Sequence, residues 1–423
     1  MRTSKFIGSA AVLATLSFAF LPSVSSSGTG LATAGSNVPV CLPAAAVGVA
    51  NCDAIQLLNP AENWHGTHAP VVSAGKGNGK GPGGGGGGGS STPSGYQPAD
   101  LQSAYGLTKY SGSDGSGMTV AIVDAYNDPN ALADVNVYRS KWGISTLTSS
   151  ESPTFTQVNG DGGSLPGNNS SWSEEISLDL DMVSAICPNC NIMLVEANSA
   201  SLTDLGTAVK FAAGSGANVI SNSYGAKEFS SETSYDTYYQ QSVPVTVSAG
   251  DSGYGVEYPA ASPLVISVGG TTLTGSSNTQ WTQTVWSGTG SGCSQYESNP
   301  GWQPVTPQCS TRTVADVAAV ADPNTGVAVY DSYGEPGWMV FGGTSVASPI
   351  IASIYALAGK TSGVTAQSLY GAALTQVPSG TNAHHCDTYL CNAADSITYP
   401  PVDATYRYNG PTGVGTPNGL VGF

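Results

Sequence analysis

Five short apolar runs constrain the chain most: MTVAIVD (118–124), NIMLVEA (191–197), ANVISNS (217–223), VPVTVSA (243–249) and LVISVGG (264–270). They are interleaved with helical stretches at 130–142, 173–186 and 202–213, and TSVASPIIASIYALAG (344–359) supplies a further long buried helix. Apolar strands of this length, bounded by glycine and separated by helices, predict a mostly parallel sheet covered on both faces. The expected class is α/β.

The remaining segments set the domain boundaries. Two early cations, the apolar stretch FIGSAAVLATLSFAFLP and small residues after it describe a secretory signal peptide over residues 1–27. No other apolar run approaches the ~18 residues of a spanning helix. A short N-terminal segment (28–74) follows, then a glycine-rich linker (75–95), then the main domain (96–423). A secreted chain without a membrane partner is expected.

Charge and cysteine content agree with that setting. The 28 Asp and Glu outnumber the 12 Lys and Arg, giving a net charge of −16, and such a surface repels nucleic acid. The eight cysteines fall as sequence neighbours, Cys41/Cys52, Cys187/Cys190, Cys293/Cys309 and Cys386/Cys391. Disulfides persist outside the cell, and short loops favour neighbour pairing among about 105 possible connectivities. CPNC (187–190) sits at a helix end, as a structural staple would, rather than at the helix start of a redox motif.

FGGTSVASP (341–349) has the look of a nucleophilic serine, Ser345, opening a helix. A serine needs a base to take its proton. HGTHAP (65–70) resembles the string around the catalytic histidine of subtilisin-type enzymes. Those enzymes run Asp, His, Ser along the chain, whereas Asp124 follows His65 and His68. His384 and His385 lie in a Cys-bounded loop, and no histidine occurs between positions 69 and 383.

The helix at 173–186 offers a different base. At about 100° per residue, Glu175 and Asp179 project among Ile176, Val183 and Ile186, while Glu174, Ser177, Asp181 and Ser184 form a solvent face. Two carboxyls one turn apart on a buried face are costly unless paired or protonated, and cations are scarce here. Sharing a proton pushes their ionisations apart, so one can accept the serine proton while the other supports it. Asp251, in VSAGDSGYG (247–255), lies beyond a strand's carboxyl end, where α/β sheets place ligands. Kept neutral, it could donate to a developing oxyanion. Asn168 and Asn169 in NNSS both match the N-glycosylation pattern.

Together these motifs resemble the sedolisin family of serine-carboxyl peptidases, from SGYQPADLQSAYGL (94–107) to TGVGTPNG (412–419), and EYPAASPLVISVGGT (257–271) resembles the family's intervening stretch. The resemblance implies a subtilisin-like fold and an acyl-enzyme peptidase acting on protein or peptide substrates at acidic pH, expected as a monomer. It implies Glu175 as base, Asp179 as its support, Ser345 as nucleophile and Asp251 as oxyanion donor. SNSYG (221–225) is implied to bind substrate through Ser221, Ser223 and Gly225. The family's long propeptide is here a short segment. Its calcium loop is also altered: TYRYN (405–409) carries Asn409 where Asp is expected, leaving Asp387 and Asp395 as remaining oxygen donors. No cofactor or metal is therefore expected. A subtilisin-type Ser-His-Asp enzyme, an inactive binding protein on the same scaffold and an exopeptidase are the alternatives.

Overall fold

The structure, a computed structural model, describes residues 37–43, 46–68, 93–398 and 406–423. The expected signal peptide and positions 75–92 of the glycine run lie outside them. Before the glycine run come β1 (Asn37–Pro39), β2 (Asn51–Cys52) and β3 (Ile55–Leu57). The chain continues through α1 (Pro98–Ala104), β4 (Thr119–Ala125), α2 (Ala131–Lys141), β5 (Phe155–Asn159), α3 (Ser170–Ile186) and β6 (Asn191–Ala197). Then follow α4 (Leu202–Gly214), β7 (Val219–Asn222), β8 (Tyr224–Lys227), β9 (Val245–Ser248), β10 (Ile266–Thr274) and β11 (Thr282–Val285). β12 (Val317–Val320), β13 (Val327–Asp331), β14 (Gly337–Gly342) and α5 (Thr344–Ala358) complete the frame.

The central sheet has eight strands in the order β11-β10-β9-β7-β4-β6-β5, with β12 also pairing β10. All its pairings are parallel except β10 with β11. Alternate side chains of β4 show why residues 120–123 are all apolar. Val120 and Ile122 join the core that holds α3 and α5, while Ala121 and Val123 join the core under α4. A strand buried on both faces has no polar side to spare. The fold is α/β, with a mostly parallel sheet between helical layers.

The segment before the glycine run does not stand apart from the main domain. β3 pairs antiparallel with β14, β1 pairs with β3, and β2 pairs with β8. The sulfurs are joined as Cys41–Cys52, Cys187–Cys190, Cys293–Cys309 and Cys386–Cys391. Among the described residues no helix is long and apolar enough to cross a membrane.

Candidate active site

The helix carrying Ser345 begins where β14 ends. Gly343 adopts φ 100°, which turns the chain sharply into α5 and leaves Ser345 in the first helical turn. Pro349 lies inside the helix and has no N–H, so it cannot bond the Ser345 carbonyl in the i to i−4 ladder. That carbonyl instead lies 3.5 Å from Ser223 Oγ. Ser345 Oγ donates to Glu175 Oε2 at 2.9 Å and lies 3.4 Å from the Ser223 carbonyl oxygen.

Asn169 caps α3, its Oδ1 accepting from the Trp172 amide. Glu175 and Asp179 project from this helix one turn apart, both fully buried. Asp179 Oδ1 accepts from Ser223 Oγ at 2.8 Å. Glu175 Oε1 and Asp179 Oδ2 have no donor from elsewhere, and the two carboxyls interact directly. A proton shared between them would satisfy both. Burial pushes the pKa of Glu175 well above the usual carboxyl range, and Asp179 and Asp124 add to it; Asp179 is raised by burial and by Asp124.

The expectation of a solvent face on this helix is wrong. Glu174, Ser177, Asp181 and Ser184 are all buried, because α2 and β13 pack over that side. Asp181 Oδ2 accepts from the Tyr330 amide of β13, and Arg139 of α2 donates to Ser184. Neighbouring elements cover these polar residues, so helical periodicity alone misreads them as exposed.

Asp251 follows β9. Its Oδ1 accepts from the Thr344 amide at 2.7 Å and the Thr344 hydroxyl at 2.9 Å. Its Oδ2 is buried without a partner. Burial raises the Asp251 pKa well above the ordinary value, with Glu257 adding to the effect and Thr344 opposing it. A protonated Oδ2 would be a donor held in place before any charge develops.

Sequence reasoning missed Asp124 as a member of this group. It is the penultimate residue of β4, is fully buried and has no hydrogen-bond partner for either oxygen. The available signal was a carboxylate at the carboxyl end of a central strand, in IVDAY. Of the expected substrate-binding residues, Ser223 adjoins Asp179 and Ser345, and Gly225 lies on β8, opposite Asn51. Ser221 is turned inward, with its hydroxyl 3.1 Å from Ser348 Oγ of α5. Its backbone is a sheet rung, so its side chain points away from the cleft.

The histidines are held elsewhere. His68 stacks on Trp64 and its Nδ1 lies 3.2 Å from Asp100 of α1. His384 and His385 are exposed. The residues suggested for calcium do not form a cage. Asn409 spends Oδ1 on the Thr412 amide and hydroxyl, Asp395 accepts from Asn392, and Asp387 is exposed. Among the described residues no three acidic, His or Cys side chains cluster to hold a metal ion.

The mostly parallel sheet between helical layers is a subtilisin-like architecture. The Subtilase family model matches residues 162–367. Kumamolisin of Bacillus sp. (strain MN-32) is 30% identical over 305 residues, covering 63% of this chain and 52% of that protein. Sedolisin of Pseudomonas sp. (strain 101) is 27% identical over 359 residues, covering 74% and 60% respectively. Xanthomonalisin of Xanthomonas sp. (strain T-22) is 25% identical over 370 residues, covering 70% and 43%. The chain thus spans between 43% and 60% of the length of these relatives. A solved structure of Pseudomonas sedolisin, a serine-carboxyl proteinase complexed with two molecules of pseudo-iodotyrostatin, superposes with TM-score 0.62 at 24% identity. That match covers 78% of this chain and 97% of that one, and it supports the fold. The chain is thus similar to kumamolisin, sedolisin and xanthomonalisin, and it shares the fold of sedolisin.

Proposed function

We propose that this chain is a secreted serine-carboxyl endopeptidase that hydrolyses protein or peptide bonds at acidic pH through an acyl-enzyme. The observation that carries this reading is the 2.9 Å hydrogen bond from Ser345 Oγ to Glu175 Oε2, made to a carboxylate and not to a ring nitrogen. Glu175 takes the Ser345 proton as the hydroxyl attacks the substrate carbonyl carbon, and Asp179 stabilises the pair by sharing a proton. The Ser345 amide and a protonated Asp251 Oδ2 receive the oxyanion. Glu175 then returns the proton to the leaving amine, and water, deprotonated the same way, releases the acyl group. No step requires a metal, and we expect a monomer. The apolar leader and four disulfides support an extracellular setting.

The acidic optimum follows from opposed requirements. The Glu175–Asp179 pair must carry a negative charge, which sets a lower limit. Asp251 must keep its proton, so activity falls as pH rises through its elevated pKa. The test is hydrolysis of a denatured protein across pH by wild type and Glu175→Gln. Loss of general-base assistance should lower kcat by a factor of about 10²–10⁴. An alkaline optimum, or an active Glu175→Gln, would refute the mechanism.

A further inference from the structure

Residues 50–56 pass through the site as an extended peptide. β2 runs antiparallel to β8, with Asn51 opposite Gly225 and Cys52 opposite Tyr224. The Asp53 amide donates to the Ser223 carbonyl at 3.2 Å, and the Asp53 carbonyl accepts from the Ser345 amide at 3.0 Å. That carbonyl oxygen and the free Asp251 Oδ2 both crowd the space where a Cβ on Gly343 would stand. The backbone continues past Ser345 into β3, where Ile55 and Gln56 pair with Gly342 and Phe341. One peptide carbonyl is therefore held by the nucleophile's own amide, beside a carboxyl able to donate, with chain paired to the body on both sides.

The side chain at that position is an aspartate, 5% exposed. Ser248 Oγ donates to its Oδ2 at 2.6 Å. Glu257, which faces Asp53, lies against both Gly225 and Gly250. Glu257 and Gly250 also line a neighbouring cavity of about 550 Å³, together with Lys227 and Tyr254. A carboxyl in a closed site is costly unless the site supplies its partners. A pocket suited to leucine or phenylalanine would not place a hydroxyl and a second carboxyl here.

We infer that the subsite of Ser248, Glu257, Gly225 and Gly250 selects an aspartyl side chain on the amino side of the bond to be cut. Residues Ala50–Asp53 occupy it as the chain's own first substrate. This rests on the peptidase reading above and names the bond that reading acts on, Asp53–Ala54. Ser345 Oγ adds to the Asp53 carbonyl carbon as Glu175 takes its proton. The C–N bond to Ala54 breaks as Glu175 returns that proton to the Ala54 nitrogen. Water then hydrolyses the ester, leaving a free carboxyl on Asp53 and Ser345 restored.

The groups facing Asp53 set the pH range of this preference. Glu257 and Asp251 face it directly, Glu175 lies within electrostatic reach, and Lys227 acts on Glu257. Burial is the largest influence and raises Asp53 well above its ordinary value, with the two facing carboxyls adding to it. Selection for aspartate should be strongest in acid, where Asp53, Asp251 and Glu257 are neutral. It should fade as pH rises and Glu257 ionises near about 7.

The test uses the full chain. Held at acidic pH, wild type should be cut between Asp53 and Ala54, as read by intact mass and N-terminal sequencing. The rate should be first order and unchanged on dilution, and Ser345→Ala should remain whole. Processed wild type should cleave a peptide mixture with aspartate enriched before the cut. Ser248→Ala should lower the Asp-over-Asn preference by about tenfold. Hydrogen exchange in the uncleavable Ser345→Ala chain should show residues 50–56 protected, and Asp53→Lys should abolish that protection. Peptide cleavage without preference for aspartate, self-cutting elsewhere, or protection unchanged by Asp53→Lys would overturn the subsite. If no form cleaves any peptide while protection responds to Asp53→Lys, the subsite stands and the peptidase reading falls.

Discussion

Asp251 holds its two oxygens in different company. Oδ1 is fixed by the amide and hydroxyl of Thr344, and Oδ2 is left to carry a proton. Two substitutions separate its parts. Asp251→Ala removes the donor and should cost about 10²–10³ in kcat. Asp251→Asn supplies an amide donor that does not titrate, so the alkaline limb of the pH–rate profile should move upward while much of kcat survives. Both effects are read from kcat profiles on one peptide substrate. Unchanged alkaline limbs in Asp251→Asn would show that another group ends activity.

The strand-to-helix junction shows what the motifs reveal and what they leave out. Gly343 takes a left-handed φ, and a Cβ there would collide with the Asp53 carbonyl and Asp251 Oδ2. Gly343→Ala should destabilise the fold by roughly 1–3 kcal/mol and abolish turnover, measured by denaturant unfolding and by assay. The sheet strands and α5 were legible because long apolar runs leave few alternatives, and Glu175 with Asp179 because one helical turn separates them. The opposite side of α3 was misread, since covering by α2 and β13 is a tertiary fact that periodicity does not encode. The path of residues 50–56 was also illegible. β2 and β3 are two and three residues long, too short for a period, and their pairing partners lie far away in sequence. Asp124 gave only the weak signal of its place at a strand end.

Among the described residues, buried carboxyls outnumber the buried cations that could neutralise them. Burial raises Glu196, Glu257 and Asp331 to about 7 and Glu174 to about 8. Between the unfolded values, roughly 4, and these raised ones, the native state binds more protons than the unfolded chain. This contribution to stability is complete below the unfolded values and is lost as pH rises through 7 to 8. The melting temperature should therefore be higher at pH near 4 than near 8 (roughly the unfolded and the highest raised values), the reverse of ordinary acid denaturation. Calorimetry across that range checks the sign. Treatment with a calcium chelator should leave both melting temperature and turnover unchanged, because Asn409 and Asp395 are already engaged. Finally, both sulfurs of the Cys41–Cys52 bridge precede Asp53, and none of the four disulfides spans the Asp53–Ala54 bond. Breaking that bond would yield two independent molecules in place of one nicked one. Dilution into a large volume then opposes religation, and the change runs in one direction.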